Sequence, residues 1–100
     1  MIDRLPSANK PAYLIASSQE DLRAFVALVL CEQINQQGLT QRAAALKLGS
    51  AQADVSRILN GKFSGYSLER LIAWVQALGN DVVIKVKPAH SRQGRVLMTA

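Results

Sequence analysis

The sequence is poor in the residues that most chemistry needs. It has one cysteine, Cys31, in 100 residues. An intrachain disulfide is excluded, and so is a metal cluster built from thiols. The same scarcity fits a reducing compartment, with Cys31 as a small buried or half-buried residue of a helix. The one histidine, His90, has no second histidine with which to hold a metal. No spacing of serines around it implies a base with an orienting group, so no catalytic residue is expected. Only five residues are aromatic, so the core must be built from Leu, Val, Ile and Ala. Trp74 is expected to fill core or interface. No run reaches the roughly 18 apolar residues of a membrane helix; "FVALVLC" is closed by Glu32 and Gln33. The N-terminus lacks the charge, apolar run and small-residue site of a signal peptide. A soluble, cytoplasmic protein without cofactor, metal or membrane contact is expected.

What is present is apolar residue and positive charge. Hydrophobic residues make up 49% of the chain, enough for one compact domain at this length. The net charge of +5 is unevenly spread. Residues 40–70 carry Arg42, Lys47, Arg57, Lys62 and Arg70 against Asp54 and Glu69, and residues 81–100 are again basic. Residues 1–39 are slightly acidic. Such a basic balance suits a polyanionic partner, although it also suits a merely solvated surface.

Periodicity divides the chain into a flexible segment 1–16, a domain 17–88 and a basic tail 89–100. A first helix starts at Ser17 with Glu20 in capping-box spacing. It carries Leu22, Phe25, Val26, Val29, Leu30 and Ile34 on one face and stops at Gly38. Thr40 caps a second, short helix from Gln41 to about Lys47. Leu48-Gly49-Ser50 makes a turn. A third helix from about Gln52 to Leu59 buries Val55, Ile58 and Leu59 and ends at Asn60-Gly61. Ser67 caps a fourth, whose inner stripe is Leu68, Leu71, Ile72, Val75 and Leu78, bordered by Trp74. "DVVIKVK" then changes to an alternating period, which predicts one β-strand ended by Pro88. A lone strand leaves its backbone groups unpaired. It could pair with "AYLI" near the N-terminus, or with the same strand of a second copy. The second is favoured, which makes Val82, Val83, Ile84, Lys85 and Val86 a dimerisation segment.

The third helix carries the functional signal. With Val55, Ile58 and Leu59 inward, Ala53, Ser56, Arg57 and Asn60 turn outward, and Gln52 reaches past the helix start. A helix that enters the major groove needs an outer face of this kind: hydrogen-bonding side chains without bulk. Gln suits adenine and Arg suits guanine. Small Ala44 and Ala45 let the second helix cross closely, and Gly49 permits the tight turn.

"LTQRAAALKLGSAQADVSRILNGK" resembles the helix-turn-helix of the lambda-repressor-like, or XRE, family. The following run "GKFSGYSLERLIAWVQALGNDVVIKVKP" is similar to small HigA-type antitoxins and related regulators. The resemblance covers roughly residues 20–88. It implies a mainly α fold, a lambda-repressor-like helix-turn-helix bundle with one C-terminal strand paired across a dimer. It implies base reading by Gln52, Ala53 and Arg57, to which the helical wheel adds Ser56. Ala53 could touch only a thymine methyl. Phosphate binding falls to Gln41 with its cap Thr40, and to the loop Asn60, Gly61 and Lys62; Arg42 joins on charge grounds. The implied partners are double-stranded DNA with a palindromic operator, a second copy of the chain, and a RelE/HigB-like toxin, in the bacterial nucleoid. The chain departs from the pattern in three places. Ser50 stands where Ile or Val is usual. Ala51 stands where a capping Ser, Thr or Asp is usual, so the third helix is expected either to start from Ser50 or to be weakly capped, at a cost of roughly 1 kcal/mol. Asp54 stands where a basic or neutral residue is frequent: near phosphate it would repel, and toward a cytosine amino group it could read a base. Ser50 and Asp54 keep open an interaction module with the same fold and little DNA binding; a solitary phage- or plasmid-type regulator with no toxin is a separate alternative.

Overall fold

The computed structural model describes residues 13–16, 18–85, 88 and 96–99. In chain order they form β1 (Tyr13–Ala16), α1 (Gln19–Gln36), α2 (Gln41–Leu48), α3 (Gln52–Leu59), α4 (Leu68–Ala77), β2 (Val83–Lys85) and β3 (Val96–Thr99). The mainly helical bundle expected from the periodicity is present.

The helices meet in one core. Leu22, Phe25, Val26, Val29, Leu30 and Ile34 of α1 are buried with Ala44, Ala45 and Leu48 of α2, Val55 and Ile58 of α3, and Leu71, Trp74 and Val75 of α4. The longest helix, α1, packs on α4 and α3, while α2 packs on α3. Trp74 lies inside the core at 5% exposure and not at its border. Cys31 is half-buried, with Sγ 3.4 Å from the Ile58 carbonyl, and burial pushes its thiol pKa up. It thus acts as packing between α1 and α3.

Helix boundaries follow local chemistry. Ser18 caps α1, its hydroxyl accepting from the Asp21 amide at 3.1 Å. The start is one residue later than the Ser17–Glu20 box predicts, because the Ser18–Asp21 pair satisfies the same three-residue spacing. Thr40 and Ser67 cap α2 and α4 as expected, accepting from the amides of Ala43 and Arg70. The turn between α2 and α3 depends on Gly49 at φ 66°. That left-handed residue lets the Gly49 amide bond Leu46 O at 3.3 Å and the Ser50 amide bond Ala45 O at 3.0 Å, a Schellman closure. A Cβ at Gly49 would meet nothing within 4 Å. Gly49→Ala is therefore expected to cost only backbone strain, about 1–2 kcal/mol. Urea unfolding of the variant measures it; an unchanged midpoint would mean that the turn relaxes away from the left-handed region.

The strands differ from the sequence expectation. The alternating segment does form β2, over residues 83–85, but two further strands join it. The sheet has three strands in the order β1-β3-β2, both pairings antiparallel. Met98 of β3 lies between Leu14 of β1 and Ile84 of β2. The expected flexible N-terminal segment and basic tail thus each supply a strand, and β2 gains a partner within its own chain. Periodicity shows that β2 needs a neighbour, but hydrogen-bonding partners distant in sequence leave no periodic trace. Among the described residues, no strand pairs with the far edge of β2, and Val83 and Ile84 are 47% and 55% exposed. Of the other expected dimerisation residues, Val82 is half-buried against the core and Lys85 belongs to β2. Val86 lies outside the described residues. Among the described residues, no helix is long and apolar enough to cross a membrane, and no cluster of His, Cys, Asp and Glu could hold a metal ion.

Candidate nucleic-acid interface

The third helix has the boundaries that its pattern predicts, Gln52–Leu59. Val55 and Ile58 anchor it at 1% and 2% exposure, with Leu59 partly buried beside them. That anchoring turns Gln52, Ala53 and Arg57 to the surface, while Ser56 is only half-exposed. The four residues expected to read bases therefore share one side of α3, with Ser56 at its edge. Ala51 has no side-chain oxygen, so it gives the first amides of α3 no cap. The helix nevertheless starts at Gln52 and not at Ser50, whose hydroxyl donates weakly to Ala51 O at 3.4 Å. Asp54 supplies the other half of a capping box, accepting from the Ala51 amide at 3.3 Å.

The residues expected to bind phosphate fall into two groups. Thr40, Gln41 and Arg42 stand at the start of α2, with Thr40 and Arg42 exposed and Gln41 half-exposed. A helix leaves its first amides without intrahelical partners. The Thr40 hydroxyl takes the Ala43 amide and the Thr40 carbonyl takes the Ala44 amide. Among the described residues, the amides of Gln41 and Arg42 remain for an anion, on the positive end of the helix dipole. Asn60, Gly61 and Lys62 lie after α3 and are all exposed. Their amides bond back to Ser56 O, Ile58 O and Arg57 O in a second Schellman closure around Gly61 at φ 79°. The Asn60 side-chain amide also turns back, donating to Ser56 O at 2.8 Å. Among the described residues, the ammonium of Lys62 is the charged donor that this loop presents.

Beside this face lies an arrangement that the sequence does not signal. The Tyr66 hydroxyl donates to Asp54 Oδ1 at 2.8 Å. Arg57 Nη1 lies 3.4 Å from Asp54 Oδ1 and 3.4 Å from the Tyr66 oxygen. Arg70 Nη2 is 3.7 Å from Asp54 Oδ2, and its guanidinium covers Tyr66 and Trp74, 4.8 Å from the Trp74 ring centre. Asp54 is 17% exposed while Arg57 is 59% exposed. The Tyr66 hydrogen bond holds the Asp54 carboxyl below its ordinary pKa, helped by the Ala51 amide and the two arginines. The same Tyr66 contact raises the Arg57 pKa. Asp54 is thus a carboxylate whose charge is taken up locally. The expected repulsion of phosphate is offset by Arg57 and Arg70, and the residue's place near the interface has a structural reason. Tyr66 and Arg70 lie in the loop and helix after the motif, and only their contact in space joins them to it.

Comparison with known proteins agrees with this geometry. A helix-turn-helix domain family model matches residues 16–87. A solved structure described as a putative XRE-family transcriptional regulator is 33% identical to this chain, with a TM-score of 0.70. That match covers 76% of this chain and 85% of the other. No curated protein matches. With the motif, its packing and both matches in accord, the chain belongs to the XRE-type helix-turn-helix family.

Proposed function

We propose that this protein is a sequence-specific, double-stranded-DNA-binding transcriptional repressor. The observation that carries the reading is the exposed face of α3, polar and slim, held out by Val55 and Ile58 beside the anion-ready start of α2. Gln52, Ala53, Ser56 and Arg57 read base edges in the major groove. Thr40, Gln41, Arg42 and Lys62 grip phosphates on either side, with Asn60 and Gly61 shaping the loop that presents Lys62.

The repressor works as a homodimer. Its β2 strands pair edge to edge across a two-fold axis, where the open edge and exposed Val83 and Ile84 support the joint. The two recognition helices then enter successive major grooves, about 34 Å apart on a palindromic operator. The resemblance of the run from Gly61 to Pro88 to HigA-type antitoxins supports a finer role: repression of a toxin–antitoxin operon and neutralisation of a RelE/HigB-like toxin. The site of action is the cytoplasmic nucleoid, and no catalytic step is involved.

A gel shift on the DNA upstream of its own gene, with unrelated DNA as competitor, tests the reading. A shift that survives competition at near-physiological salt is expected, with a footprint of paired half-sites. Binding that competes away would reduce the interaction to phosphate attraction. No shift at all would favour an interaction module built on the same fold. Co-expression with the product of a neighbouring toxin-like gene tests the antitoxin role; growth arrest that this protein does not relieve would remove it.

A further inference from the structure

We infer that Tyr66 and Asp54 form a clamp that positions Arg57 for base reading, an inference that rests on the reading of α3 as the recognition helix. An arginine on a helix surface loses rotamer freedom when it is fixed on a base. Side-chain partners that hold it before contact reduce that loss. Arg57 has two such partners, Asp54 one helical turn before it and Tyr66 from the following loop, both 3.4 Å from Nη1. Among the described residues, its Nε and Nη2 donate to nothing, so the fork that would pair with guanine is left free.

The clamp is itself anchored. Asp54 is fixed by the Ala51 amide on one oxygen and by the Tyr66 hydroxyl on the other. Tyr66 is 6% exposed, its ring 5.4 Å from that of Trp74 and covered by Arg70. Its amide bonds Phe63 O, and its carbonyl accepts from Arg23 Nη1 of α1 at 3.4 Å. A chain of contacts therefore runs from α1 through Tyr66 to the recognition helix. Stacking and backbone bonds already hold the tyrosine ring in place. The hydroxyl is the group that reaches the recognition helix, and it does so on the carboxylate that orients Arg57. Tyr66 and Asp54 are positioning residues; neither needs to touch DNA.

The test is selection of binding sites from randomised duplexes by wild type, Tyr66→Phe, Asp54→Asn and Arg57→Ala, alongside melting temperature and affinity for unrelated DNA. Arg57→Ala marks the operator position that Arg57 reads. Tyr66→Phe and Asp54→Asn are expected to relax preference at that same position by roughly fivefold or more, a part of what the bidentate contact supplies. Preference elsewhere should stay as in wild type, and so should the affinity of Tyr66→Phe for unrelated DNA; Asp54→Asn, which removes a negative charge beside the interface, should bind unrelated DNA more tightly. Unchanged preference in Tyr66→Phe overturns the clamp, even where wild type selects a clear site. Equal weakening at every position, in step with a lower melting temperature, also overturns it, since that is the signature of a structural role alone. A wild type that selects no site overturns the reading of α3, and the clamp with it.

Discussion

Phe25→Ala is expected to lower the unfolding free energy by about 3–5 kcal/mol. Phe25 is 2% exposed and sits on α1, which packs against both α3 and α4. Truncation removes the transfer free energy of the ring and leaves a cavity that the neighbours fill only in part. Domains of this size have about 5–15 kcal/mol of stability in total, so the loss is a large share. A fall in Tm of roughly 15 °C or more should follow. Leu28→Ala, three positions along the same helix, is the comparison. Leu28 is 43% exposed, and its truncation should cost about 1 kcal/mol or less. Thermal or urea unfolding of the two variants decides the matter. Similar losses from both would mean that Leu28 is covered in solution, for example by a second copy of the chain.

The contrast between Phe25 and Leu28 is legible in the pattern of the chain, and so is most of the bundle. Helical spacing places Leu22 through Ile34 on one face. Thr40 and Ser67 announce their helices, and Val55 with Ile58 fixes which side of α3 looks outward. These are local signals, in which each residue's role follows from neighbours three or four positions away. The sheet and the clamp are of another kind. Val83 meets Thr99, and Tyr66 meets Asp54, only because the chain folds back on itself. Asp54 shows the difference most clearly. Along the sequence, it is a misplaced negative charge on a DNA face. In space, it accepts from Ala51 and Tyr66 and faces two arginines. The loop after α3 shows it too. Asn60, Gly61 and Lys62 look alike as phosphate binders until their amides are followed to the carbonyls that end the helix.

Operator binding by a dimer is expected to weaken roughly 150-fold between about 50 and about 200 mM salt, the loss for about four neutralised phosphates. Two copies of Arg42 and of Lys62 would supply those four charges. The slope of log affinity against log salt separates the roles assigned to each residue. Arg42→Ala and Lys62→Ala should each make the slope shallower by about one unit per bound copy. A dimer therefore loses about two units per substitution and a monomer about one, so the same titration reports stoichiometry. Gln41→Ala should weaken every sequence alike with little change in slope, because its amide side chain carries no charge. Arg57→Ala should instead cost about 1–3 kcal/mol at one base position, a discrimination that persists as salt rises. Suppose Arg57→Ala flattened the slope as Lys62→Ala does, without relaxing any base preference. Arg57 would then be a phosphate ligand, and base reading would pass to Gln52 at the uncapped start of α3, whose exposed amide is the next group able to address an adenine.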